Sequence, residues 1–338
     1  MFMYYIAYIM KIRLQILVLT IFFLGYFSLT SNCSADSIIL PPKGTIKILV
    51  TDSGLGGLSV VADLEKRLED SGIYKNVNII FVNSLFSNKS GYNSLANNEE
   101  KIRVFNNALM SMEKNYKPDL ILIACNTLSV IYNETPFAEN TKIPVRGIVE
   151  PGVDLIAKTI KSETDSKVII FGTETTIEQN THKEELIDLG IEPERIITQS
   201  CPELAYYIET SSDSTETEML ISAYISEALE KIGNKETPLF ISYNCSHYPY
   251  SQKLWEKAFQ DLGVTPEGYL NPSSSMTDFI FNPQYMNRFD ITKISIKVVS
   301  MVSISDKKMD SIGKLLNDTR TSKALHDYEL KPDLFVWN

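Results

Sequence analysis

The stretch Leu120-Ile121-Leu122-Ile123-Ala124-Cys125-Asn126-Thr127 decides the reading of the fold. An unbroken apolar run of this length suits a strand buried on both faces, which is the pattern of a parallel sheet. A helical stretch follows Thr127. Parallel neighbours must be joined by a crossover, so a buried strand leading into a helix points to an α/β chain. The polar triplet Cys125-Asn126-Thr127 then falls at the carboxyl end of the strand, where open α/β sheets form their ligand crevice.

Outward from this stretch the same alternation repeats. Strands are expected over 46–51, 78–82, 145–149, 168–171, 196–198 and 239–243. Helices are expected over 58–68, 102–112, 153–160, 178–189, 219–232 and 252–262. On the first helix Leu58, Val61, Leu64 and Leu68 form one apolar stripe. From about residue 263 the pattern is less regular, with a strand over 294–302 and a helix over 307–316. A looser symmetry links the segments around Cys125 and Cys245: strand, cysteine, polar residues, helix. This suggests two similar Rossmann-like parallel-sheet domains, one built from 45–146 plus about 255–338, the other from 147–254.

The chain has 338 residues with a net charge of −10, and no Lys/Arg cluster stands out, so nucleic acid is not an expected partner. Four cysteines (Cys33, Cys125, Cys201 and Cys245) are too few and too dispersed for a disulfide scaffold. With only three histidines and no CxxC spacing, a structural metal site is not expected. At the N-terminus, Lys11 and Arg13 precede an apolar run over 14–29 and a small, polar boundary at 30–35. That is the layout of a secretory signal, too short for an ordinary membrane span of roughly 20 residues. Cys33 resembles the acceptor of a lipoprotein signal, although the preceding Leu-Thr-Ser-Asn is looser than usual. The expectation is a signal over 1–33, a linker over 34–44, and an exported, periplasmic or membrane-anchored protein.

Three strands end in polar constellations: Thr51-Asp52-Ser53-Gly54-Leu55-Gly56-Gly57, Cys125-Asn126-Thr127, and Asn244-Cys245-Ser246-His247-Tyr248-Pro249. Each precedes a helix, whose free N–H groups favour an anionic ligand and a thiolate. The glycine turn lacks both the P-loop lysine and the GxGxxG spacing. It reads as a tight turn that lets backbone N–H groups approach a small acid. A cysteine after a buried strand is more often core than reactive, and Cys201 reads as core. Cys125 and Cys245 stand among polar side chains in matched contexts. They can serve as paired acid and base, one on each face of a carbon, with Asp52 and His247 tuning them. His182 and His326 read as surface residues, Glu209 taken alone as a solvated helix charge, and 210–218 as a solvated loop.

Taken in order, these motifs resemble the aspartate/glutamate racemase family. Weaker matches lie at Gly172-Thr173-Glu174-Thr175-Thr176-Ile177 and at Cys201-Pro202-Glu203-Leu204 with Glu209. The resemblance runs from about residue 46 to 272. It implies two α/β domains with the active site in the cleft between them. It implies cofactor-independent racemisation of an acidic amino acid, glutamate or aspartate, with no pyridoxal phosphate and no metal. Cys125 and Cys245 are implied as the acid/base pair. Asp52 is implied beside Cys125, and His247 and Glu209 beside Cys245. Ser53, Asn126, Thr127 and Ser246 match positions that hold the substrate, and Tyr92 and Asn93 fall where the family lines its pocket. The pocket segment departs from the family as Asn83-Ser84…Gly91-Tyr92-Asn93, and the tail is long. Other superfamily chemistry, of the hydantoin racemase or maleate isomerase type, stays open, as does a non-catalytic lipoprotein that binds small acids. The expected ligand is a small amino acid or dicarboxylate. Membrane attachment through the N-terminus and a homodimer are compatible with the sequence.

Overall fold

The structure is a computed structural model that describes residues 43–232, 237–317 and 319–335. The signal reading, Cys33 and most of the linker lie outside the described residues.

Two parallel sheets carry the chain. The larger is built from β1 (Thr45–Asp52), β2 (Asn76–Asn83), β3 (Leu120–Ile123), β4 (Val145–Gly147), β9 (Lys293–Ser300) and β10 (Glu329–Leu330), in the order β10-β9-β2-β1-β3-β4. The smaller is built from β5 (Lys167–Gly172), β6 (Ile196–Ser200), β7 (Leu239–Asn244) and β8 (Gly268–Leu270), in the order β6-β5-β7-β8. In each sheet the first strand lies inside, the second pairs on one side of it and the third on the other. The third strand of one is β3, which stops two residues before Cys125. The third strand of the other is β7, which stops directly before Cys245. The symmetry expected around the two cysteines is therefore present in the topology.

The crossovers are α1 (Leu58–Ser71), α2 (Asn98–Tyr116), α3 (Asn126–Tyr132), α4 (Pro136–Asn140), α5 (Val149–Ser162), α6 (Glu174–Glu178), α7 (Thr181–Asp188), α8 (Leu204–Thr210), α9 (Thr215–Ile232) and α10 (Gln252–Asp261). Local chemistry sets their starts. Asn97 caps α2 by accepting from Glu100 N at 2.9 Å, and Thr173 caps α6. The period of two along β5 divides its side chains between two cores. Val168 and Ile170 share a core with Leu49, Ile121 and Ile123 of the larger sheet, bridged by Val153, Ile156 and Ile160 of α5. Ile169 and Phe171 face Ile221 and Ile225 of α9 and Trp255 and Phe259 of α10. Trp255 is fully buried against Phe171, Tyr243 and Tyr248. Burial of such a side chain contributes roughly 1.5–3 kcal/mol.

Several expectations need correction. β4 stops at Gly147, where a side chain would meet Ser129 Oγ at 2.1 Å, and Val149 opens α5 instead of ending a strand. The stretch 210–218 is not a solvated loop throughout. Ser214 Oγ accepts from Thr217 N at 3.2 Å, Thr217 is fully buried, and α9 starts at Thr215. His182 is buried rather than on the surface, and burial holds its imidazole down at about 4. β8 adds to the smaller sheet through Phe240↔Gly268, so that sheet reaches beyond residue 254. The irregular C-terminal part returns to the larger sheet through β9, paired along its full length with β2. It continues through α11 (Asp306–Leu315) and α12 (Arg320–His326) into β10. Buried Glu65 of α1 anchors α12 by accepting from Thr321 N and Oγ1 at 3.0 and 2.8 Å.

Candidate active site

Open parallel sheets leave a crevice where crossovers depart in opposite directions. In the larger sheet that point lies between β1 and β3, and in the smaller between β5 and β7. Both points open onto one cavity of about 460 Å³. Its wall includes every site residue expected from the sequence: Asp52, Ser53, Tyr92, Asn93, Cys125, Asn126, Thr127, Glu209, Cys245, Ser246 and His247. The volume is ample for a small metabolite.

On the larger-sheet side, Cys125 occupies the N-cap position of α3. Its sulfur lies 3.1 Å from Ser53 Oγ. The helix N-terminus does not produce a resting thiolate, contrary to expectation. Burial, joined by the neighbouring Asp52 carboxyl, pushes the Cys125 thiol up to about 12, against the N–H groups of Ser53 and Leu128. Cys125 therefore rests as a thiol. Asp52 is fully buried, and burial raises its carboxyl above the ordinary 3.8. Its Oδ1 accepts from Gly54 N at 3.1 Å and its Oδ2 from Ser246 Oγ at 2.7 Å. Thus Ser53 is the hydrogen-bonding neighbour of Cys125, while Asp52 acts on it through charge.

On the smaller-sheet side, Cys245 Sγ lies 3.8 Å from His247 Nδ1. His247 Nε2 lies 2.8 Å from Glu209 Oε2. Burial alone would lower the imidazole, but its bonds to Cys245 and Glu209 outweigh burial and raise it to about 10. Burial would raise the Glu209 carboxyl, yet His247 and Lys308 together bring it down to about 2. The pair is therefore an imidazolium and a carboxylate. Glu209 is not the solvated charge its own sequence context suggests. It is buried and also accepts from Leu55 N through Oε2 at 2.7 Å and from Lys308 Nζ through Oε1 at 2.7 Å.

The glycine turn also meets a steric demand that its own sequence does not reveal. A Cβ on Gly54 would lie 2.6 Å from Glu209 Oε2. One on Gly56 would lie 2.3 Å from Ser246 Oγ and 2.7 Å from His247 Nδ1. The missing side chains make room for Glu209, Ser246 and His247 from the opposite sheet, while Gly54 also lines the cavity.

The wall also carries polar side chains among apolar ones such as Leu85 and Ala205. Neither amide atom of buried Asn126 has a hydrogen-bond partner among the described residues, and the same holds for the Tyr92 hydroxyl. Buried polar groups normally find partners, and Asn126, unlike the equally unpartnered Asn244, lines the cavity. Thr127 Oγ1 lies 2.7 Å from Thr173 Oγ1. Asn93 accepts from Thr175 Oγ1 at 2.7 Å, which itself accepts from buried Lys101 at 2.8 Å. Thr173 and Thr175 belong to the weak motif at 172–177. Lys101 and Lys308 were missed, because nothing in the sequence separates them from other surface lysines. Among the described residues, no group of three or more His, Cys, Asp or Glu is arranged to hold a metal.

Residues 48–235 match the family described as Asp/Glu/Hydantoin racemase. The chain belongs to this family. It is thereby a racemase, an enzyme of the isomerase class. The match ends before β7, so it does not include Cys245. The racemase is 26% identical over 220 residues to glutamate racemase of Aquifex pyrophilus, covering 65% of this chain and 78% of that one. It is 27% identical over 207 residues to glutamate racemase of Lysinibacillus sphaericus, covering 61% and 71%. In structure it is similar to glutamate racemase of Francisella tularensis in complex with D-glutamate, with a TM-score of 0.62 at 20% identity over 85% of this chain and 95% of the other. That last likeness shows a shared fold.

Proposed function

We propose that this racemase inverts an acidic amino acid, glutamate or aspartate, by a two-cysteine, two-base reaction without a cofactor. The observation that carries the reading is that Cys125 and Cys245, on equivalent strands of two sheets, line a single cavity. The substrate carboxylate and amine are held by Asn126, Ser53, Thr127 and the polar wall around them. The Cys245 sulfur, with the cationic His247 beside it to balance negative charge, removes the α-proton from one face. The Cα–H bond breaks and its electron pair stays on carbon. The Cys125 thiol then gives its proton to the opposite face, and the new C–H bond completes inversion. One proton has moved onto Cys245 and one off Cys125, so the enzyme is set for the reverse reaction. Burial of Cys125 suits it to begin as the donor.

The test is deuterium incorporation at the α-carbon of both enantiomers of glutamate and aspartate in D₂O under reducing conditions. Exchange with inversion is expected for the wild type, and its absence with every amino acid tried would overturn the reading. The proposal includes export, and its support is the pattern of residues 1–33. Cell fractionation that finds the full-length protein only in the cytoplasm would remove that part.

A further inference from the structure

Lys308 lies on α11, beyond the residues that match the family. Its Nζ donates to Glu209 Oε1 at 2.7 Å and sits 5.3 Å from the centroid of the Tyr206 ring. Glu209 has no freedom in this arrangement. Its Oε2 is fixed by Leu55 N at 2.7 Å and His247 Nε2 at 2.8 Å, and Lys308 supplies the donor to Oε1. A buried carboxylate oxygen stripped of its charged donor either turns to find another or takes up a proton. Both changes weaken the grip on His247. The helix is docked beside Glu209 by a second residue as well. Ser311 Oγ donates to Ile208 O at 3.3 Å and accepts from Ser212 N at 3.3 Å.

We propose that Lys308 is a positioning residue of the active site: it sets the orientation of the Glu209 carboxylate, and through Glu209 the placement of His247 against Cys245. The inference rests on the reading of Cys245 as an acid/base. The helix α11, which follows β9 of the larger sheet, thereby controls an arm that belongs to the smaller one. The charged and titratable groups that face this arm are Asp52, Cys245, Tyr250 and Lys308 around the Glu209–His247 pair.

The test reads His247 directly. The chain has only three histidines, so ¹⁵N imidazole spectra of the full protein can be assigned with His247→Asn as reference. In Lys308→Met the His247 titration is expected to fall toward the ordinary histidine range, and in Lys308→Arg to stay with the wild type. Ser311→Ala, which loosens the docking without touching Glu209, should leave it unmoved. In the racemisation assay Lys308→Met should lower kcat by roughly ten- to a hundredfold with little change in KM, as for other losses of alignment. An unchanged or raised His247 titration in Lys308→Met overturns the proposal, as does an equal shift in Ser311→Ala. So does a raised KM for acidic substrates at constant kcat, which would make Lys308 a substrate contact. Should Lys308→Met fail to fold, Lys308→Gln is read by the same criteria. A wild type inert toward every amino acid, but with the expected His247 shift in Lys308→Met, would end the racemase reading and leave this positioning role standing.

Discussion

Ser246 donates from Oγ to Asp52 Oδ2 at 2.7 Å across 194 residues of sequence. The bond ties the loop after β7 to the end of β1, so the two sheets are joined at the cavity by side chains of the site itself. Asp52 is fully buried, and its Oδ2 has no other donor as close. Ser246→Ala is therefore expected to leave a buried carboxyl oxygen unpaired, costing about 1–3 kcal/mol. Urea unfolding checks this, and a loss within the scatter of surface alanine variants would show that the bond does not hold the loops.

Gly56→Ala should be worse than an ordinary glycine substitution. The new methyl would sit 2.3 Å from Ser246 Oγ and 2.7 Å from His247 Nδ1, both on the opposing arm. Overpacking typically costs roughly 1–3 kcal/mol, and here relief requires moving both Ser246 and His247, the latter away from its place beside Cys245. Activity should fall more than stability. Gly190→Ala is a useful contrast, since nothing lies within 4 Å and only its φ of +85° is strained. Equal activity losses in the two variants would contradict this account.

The Glu209–His247 pair makes stability depend on pH in a defined direction. Glu209 is lowered from 4.5 to about 2, so its contribution is present above 4.5 and is lost as pH falls toward 2. His247 is raised from 6.5 to about 10, so its contribution is full below 6.5 and is lost as pH rises through 10. The Tm difference between wild type and Glu209→Gln should thus be largest between pH 4.5 and 6.5 and should shrink toward pH 10. A difference that stays flat across that range would mean the pair is not ionised as described.

Asn126 offers a binding test independent of turnover. With both amide atoms unpartnered in the cavity wall, it should gain hydrogen bonds when a ligand arrives. D-Glutamate is expected to raise the Tm of the wild type and of Cys125→Ser, by linkage of binding to folding. In Asn126→Ala the shift should be smaller by an amount equal to weaker binding. An identical shift in Asn126→Ala would remove Asn126 from the binding set.

Catalysis by the cysteines is expected to fail one at a time. Cys125→Ala and Cys245→Ala should each lower kcat/KM for inversion by roughly 10²–10⁴, the range for loss of a positioned acid or base. Retained inversion in either variant, measured by polarimetry, would rule out the two-base reaction.

The sequence by itself determined the α/β class, most strand and helix positions, and the motifs that meet in the cavity. The physical reason is that buried parallel strands impose unbroken apolar runs, and strand ends before helices mark the crevice. What it could not determine is contact between distant segments. Glu209 looks like a helix-surface charge until α8 is seen against Leu55 and Lys308. The glycines at 54 and 56 look like a ligand turn until the opposing Glu209, Ser246 and His247 are placed above them. Cys125 looks poised as a thiolate at a helix start until its burial beside Asp52 is counted. Lys308 carries no local pattern at all. In each case burial and charge act through space, so tertiary structure alone decides which groups are ionised and which are held in place.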